Sequence, residues 1–125
     1  MVTDTLKGKK ILIVEDDQSS RLYLNKILER AGAYLLNAGD GVEAISITEK
    51  NPDIDIILMD IQLPVMDGYT AAKKIREMGR DIKIVAQTAY GMSDDMESII
   101  ELDFDDYILK PIYAEQLIDK LASLI

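Results

Sequence analysis

The residues of this 125-residue chain that could carry chemistry stand at the ends of short apolar runs. Glu15 and Asp16 follow Ile11–Val14, Asp60 follows Ile54–Met59, Thr88 follows Ile82–Gln87, and Lys110 follows Tyr107–Leu109. Taken singly, each has an ordinary explanation. An acid after a strand is solvated or caps the next helix, and a Thr or a Lys-Pro pair makes a bend. If the runs are parallel strands, however, all of these groups emerge on one edge and form one shallow site. Three crowded carboxylates repel, and either protonation or a bound cation relieves them. An all-oxygen set suits Mg²⁺, with Mn²⁺ as an alternative, because Mg²⁺ commonly joins one or two carboxylates to a phosphoryl group. A carboxylate in such a site can attack phosphorus and form an aspartyl phosphate, with Lys110 neutralising the phosphoryl oxygens and Thr88 donating a hydrogen bond.

Composition narrows the chemistry further. The chain has no Cys and no His, which removes disulfides, thiolate nucleophiles, imidazole bases and the Ser-His-Asp and Cys-His classes. Fourteen Lys plus Arg against 23 Asp plus Glu give a net charge of −9, so direct binding to nucleic acid or anionic lipid is disfavoured and cations or basic partners are favoured. With 48% hydrophobic and 30% charged residues, the chain is that of a globular domain. No apolar run approaches the ~20 residues of a membrane span, and the start MVTDTLKGKK lacks the apolar stretch of a signal peptide. A cytoplasmic setting without membrane insertion is the expectation.

The elements that must position these groups alternate strand and helix about five times, an α/β layout. The first strand, Ile11-Leu12-Ile13-Val14, is apolar at every position, as a parallel strand covered on both faces should be. Leu24, Ile27, Leu28 and Ala31 mark the first helix, closed by Gly32. Tyr34-Leu35-Leu36 is a weaker strand, and Asp40 with Glu43 caps a second helix that ends near Asn51-Pro52. After the third strand, Leu63 to Gly68 is a loop before a helix with Ala72, Ile75 and Arg76, closed by Gly79. Ser93 caps a fourth helix with Met96, Ile99 and Ile100. Ala114, Leu117, Ile118, Leu121, Ala122 and Ile125 form the stripe of the last helix. In open parallel sheets, ligands bind outside the carboxyl ends of the strands.

The strings ILIVEDD, ILMDIQLPVMDG, VAQTAY and DDYILKPI, in this order and spacing, resemble the receiver domain of two-component response regulators, the family that includes the chemotaxis response regulator. The resemblance implies a single flavodoxin-like doubly wound (βα)5 domain of strand order 2-1-3-4-5 over residues 10–125, with residues 1–9 as a leader or linker. It implies Asp60 as phosphoacceptor, Asp16 as a direct Mg²⁺ ligand, Glu15 as the second acid acting through a metal-bound water, and the Gln62 carbonyl as a further ligand. Lys110 matches the phosphoryl-contacting lysine, with a cis bond to Pro111. Thr88 and Tyr107 match the switch hydroxyl and the switch aromatic, which reshape the face of the fourth helix, the fifth strand and the fifth helix. The Gln62 and Tyr90 side chains flank the water approach to the acyl phosphate.

Two positions depart from the family pattern: Glu15 stands where Asp is more usual, and Gln87 is polar at an apolar strand end. VAQTAY and DDYILKPI are similar to receivers attached to hybrid sensor kinases, which implies a phosphorelay. The donor is then a sensor histidine kinase or a histidine phosphotransfer domain, and a downstream effector or relay protein receives the signal or the group. Such a domain catalyses its own phosphorylation and slow dephosphorylation without being an independent kinase. A haloacid-dehalogenase-type phosphatase would also use a Mg²⁺-assisted Asp, but the position of its second acid is Gln62. A flavodoxin-like electron carrier is opposed by the acidic loop after the first strand, which would repel a flavin phosphate. Leu22, nearly opposite the core stripe of the first helix, reads either as a donor contact or as an ordinary exposed residue.

Overall fold

A computed structural model describes residues 4–89 and 103–125. The strands are β1 (Lys10–Val14), β2 (Tyr34–Ala38), β3 (Ile56–Asp60), β4 (Lys83–Thr88) and β5 (Asp106–Leu109). The helices among the described residues are α1 (Gln18–Arg30), α2 (Gly41–Lys50), α3 (Gly68–Arg76) and α4 (Ala114–Ala122), the last being the final helix of the sequence reading. The predicted helix with Ser93, Met96, Ile99 and Ile100, and Tyr90, lie outside the described residues. Every strand pair is parallel, and the sheet order is β2-β1-β3-β4-β5, the doubly wound flavodoxin-like order.

Strand alternation builds two cores. Leu12, Val14, Ile57, Met59, Ile84 and Ala86 pack with Ala44 of α2 and Ala71, Ala72 and Ile75 of α3. Ile11, Ile13, Ile56, Leu58, Val85 and Ile108 pack with Leu24 and Leu28 of α1 and Leu117 and Leu121 of α4. Since successive side chains point to opposite faces, the sheet is buried on both, which explains the uninterrupted apolar runs of β1 and β3. Leu6, within the stretch read as a leader, is fully buried in the second core, and its amide donates to the Ala31 carbonyl at 2.9 Å.

Acids start the helices. The Asp17, Asp40 and Asp67 side chains accept from the Ser20, Glu43 and Thr70 amides at 2.8–2.9 Å, so three of the acids following strands or loops are N-caps. Gly32 and Gly79 adopt positive φ after α1 and α3, as their reading as helix stops requires. The third strand begins at Ile56 rather than Ile54 and includes Asp60, and the fourth runs to Thr88. The two extensions at the carboxyl ends have the same cause: the ladder continues through Asp60↔Gln87 and Thr88↔Leu109, so backbone pairing outlasts the apolar run.

Gly68 fixes the distance between β3 and α3. Its amide donates to the Ile61 carbonyl at 3.1 Å, and a Cβ there would lie 2.4 Å from the Asp60 carbonyl oxygen and 2.7 Å from the Ile61 Cα. Both obstacles are backbone, so no side chain can rotate away. Gly68→Ala is expected to lower stability by about 1–3 kcal/mol in urea denaturation, as overpacking against a rigid neighbour does. It should also shift the Asp60 and Gln62 amide resonances.

Candidate functional site

The carboxyl edge of the sheet carries the predicted groups. Asp60 ends β3 and Glu15 follows β1, and both are buried, at 3% and 2% exposure, whereas Asp16 is exposed. Carboxylate oxygens of Glu15, Asp16 and Asp60 lie within 4.8 Å of one another. Both Asp60 oxygens are engaged: Oδ1 accepts the Gln62 amide and Oδ2 the Lys110 ammonium, each at 2.9 Å. Lys110 reaches the acid because its own backbone is tied to β4, its amide donating to the Thr88 carbonyl at 2.8 Å. The Lys110–Pro111 bond is cis, as the resemblance implied.

Glu15 shows how crowded the edge is. Its pKa is pushed up to about 7, first by burial and then by the Asp60 charge, against the opposing pull of the Asp17 amide and Lys110. The donor set is entirely oxygen, and among the described residues its negative charge is opposed by the Lys110 ammonium on Asp60. A hard divalent cation fits such a set, since oxygen ligands are what Mg²⁺ takes and added positive charge is what the acids lack.

Thr88 is buried at the end of β4, and because it neighbours Gln87, which stands across from Asp60, it leaves the strand on the opposite face, with Ile84 and Ala86. Tyr107 stands across from Ala86 on that same face. It is 37% exposed, with the Lys120 ammonium 5.9 Å from its ring centroid and that ammonium also 3.3 Å from Asp106. The structure thus brings Glu15, Asp16, Asp60, Lys110 and the Gln62 amide together, and sets Thr88 and Tyr107 along an adjoining sheet face. Leu22 is 63% exposed on α1.

Two features escaped the sequence reading. Asp17 caps α1, and Arg21 donates twice to the Glu15 carbonyl. A cation in the opening turns of a helix runs against the helix dipole, and that was the available signal for Arg21. Gln87 is 1% exposed, and neither atom of its side-chain amide has a hydrogen-bond partner.

An oxygen-lined acidic cluster at the carboxyl edge of a doubly wound parallel sheet defines a flavodoxin-like α/β module with an acidic site at its rim. More specifically, the chain belongs to the response regulator receiver domain family, whose sequence pattern matches residues 11–122. It is a receiver domain of the two-component and phosphorelay type, which sets aside the haloacid-dehalogenase alternative. It is 38% identical over 112 residues to "Two-component system protein A" of Emericella nidulans, a match that covers 88% of this chain and 16% of that protein. The chain therefore spans about one sixth of the length of that relative. The receiver domain of the Pseudomonas aeruginosa sensor histidine kinase PA1611, solved with a magnesium ion in its active site cleft, is 31% identical at a TM-score of 0.83, covering 94% of this chain and 97% of that one. The receiver domain of Saccharomyces cerevisiae Ssk1, solved with the histidine phosphotransfer protein Ypd1, is 29% identical at a TM-score of 0.87, covering 95% and 90%.

Two measurements follow from this geometry. In metal-free protein, the Glu15 carboxyl should titrate with a midpoint near 7 by carbon-detected NMR. Because the folded pKa lies above the unfolded value of 4.5, the stability this group contributes is fully present below pH 4.5 and is lost as pH rises through 7. Gln87→Met keeps the length of the side chain and removes both unpartnered polar atoms. It is expected to raise the urea midpoint by an amount corresponding to about 1 kcal/mol, because an unsatisfied buried polar group costs about 1–3 kcal/mol.

Proposed function

We propose that Asp60 accepts a phosphoryl group from a phosphohistidine on a partner kinase or histidine phosphotransfer domain, and that Thr88 and Tyr107 convert the new charge into an altered surface. The observation that carries this reading is the Asp60 carboxylate, buried at the end of β3 with Lys110 on one oxygen and two further acids within reach. An Asp60 oxygen forms the new bond to phosphorus as the P–N bond of the donor breaks, and the departing imidazole takes a proton from solvent. Lys110, with its side chain 37% exposed, is free to shift its ammonium from Asp60 Oδ2 to a phosphoryl oxygen. The Gln62 amide holds Asp60 in orientation through Oδ1.

Glu15, Asp16, Asp60 and the Gln62 carbonyl would hold Mg²⁺, with Mn²⁺ as a substitute. Bound there, the ion supplies the positive charge that offsets the phosphoryl oxygens. Thr88 answers the added charge with its hydroxyl, and Tyr107, on the same sheet face, follows by leaving its outward position beside Lys120. The surface of β5 and α4 changes as a result, a local charge event read by a two-state element. Among the described residues no helix is long and apolar enough to cross a membrane. A donor charged from ATP places this exchange in the cytoplasm. The relatives support a phosphorelay setting, in which the group passes onward to another histidine or its arrival alters an effector.

The deciding experiment is incubation with Mg²⁺ and acetyl phosphate followed by peptide mass mapping. The expected result is one phosphoryl group on Asp60, absent when a chelator is present from the start and undetectable in Asp60→Asn. Labelling that persists in Asp60→Asn would overturn the assignment.

A further inference from the structure

Arg21 occupies the fourth position of α1, four residues after the Asp17 cap. Its guanidinium turns back on the loop before the helix, Nε and Nη2 donating to the Glu15 carbonyl at 3.1 and 2.8 Å. That carbonyl lies just past the last residue of β1, where the strand no longer guarantees a partner, and Arg21 supplies one. The residue is fixed at three points: its amide donates to the Ala38 carbonyl at 3.0 Å, its carbonyl takes both Arg21 donors, and its Oε2 accepts the Asp17 amide at 3.2 Å.

The peptide that joins Glu15 to Asp16 contains the clamped carbonyl. Rotating that peptide would swing Asp16 away from Asp60, and repulsion among the acids favours such a rotation. We propose that Arg21 is a positioning residue that holds the Glu15–Asp16 peptide against this repulsion and thereby sets the affinity of the acidic cluster for a divalent ion. The inference rests on the reading of Glu15, Asp16 and Asp60 as ligands. Its physical content is the two-donor fork: an ammonium carries the same charge but cannot present two coplanar N–H groups to one carbonyl. Groups that orient a ligand in this way typically change metal affinity by about 10–100-fold when removed.

The test uses the full 125-residue chain and Mg²⁺ alone, measured by isothermal titration, with ¹⁵N relaxation of the metal-free protein and urea denaturation alongside. Arg21→Gln is expected to weaken Mg²⁺ binding by about 10–100-fold and to lower the order parameter of the Asp16 amide, while the β1 and β3 amides stay rigid. Arg21→Lys should recover less than half of the lost binding free energy and leave Asp16 loosened. Unchanged Mg²⁺ affinity in Arg21→Gln, with only the urea midpoint lowered, overturns the proposal and leaves Arg21 a structural residue. Full recovery by Arg21→Lys also overturns it, because charge alone would then suffice. If the wild-type chain binds no Mg²⁺, the ligand reading falls together with the proposal. Binding that is equal in wild type and variants sinks the clamp alone.

Discussion

Negative charge confined against a buried edge is the constraint to which the other features answer. Glu15 and Asp60 are both almost inaccessible to water, and with Asp16 their oxygens crowd within 4.8 Å. At an effective dielectric of about 20, two full charges at that separation repel by about 3 kcal/mol, a large share of the stability of a small domain. The protein relieves this in two visible ways. Lys110 pairs with Asp60, and Glu15 is pushed toward its neutral form near pH 7. Backbone amides of Asp17 and Gln62 take a further share by donating to Glu15 and Asp60. Added positive charge would relieve the repulsion that remains, which is the physical ground for the proposed cation-assisted phosphoryl acceptance.

Much of the architecture was legible because its causes are local. Ile11–Val14 and the run ending at Met59 are apolar throughout, and only a sheet covered on both faces calls for that pattern. Gly32, Gly79 and the Asp40–Glu43 pair announce helix ends through chemistry that acts over a few residues. The parallel arrangement then follows from the alternation of elements, and it gathers the strand-end groups on one edge without any long-range guess. The receiver resemblance added the strand order and the individual roles.

What sequence could not show depends on approach between distant segments. Gly68 looks like an ordinary turn residue, and only the packing of α3 on the end of β3 reveals that any Cβ there would meet backbone. The polarity of Gln87 was plain, but that its amide is buried without a partner is a property of the assembled α1 and α4 layer. Leu6 gave no sign of being core, because its burial is made by the second core and its anchor is the Ala31 carbonyl, far along the chain. Asp17 stood beside Glu15 and Asp16 in the sequence without a role of its own. The helix start decides that it serves the backbone.

The pleat sorts the residues at the rim between the two sides of the sheet. Asp60 and Gln87 stand opposite one another in the ladder and share the α1 and α4 side, while Thr88, one residue on, departs on the α3 side with Ala86 and Tyr107. The sheet thus keeps two side-chain layers apart, and they meet only at the rim where β4 ends, since Asp60 and Thr88 stand one register step from each other on neighbouring strands. A shift in one layer reaches the other through those few rim atoms rather than through the packed interior of the sheet.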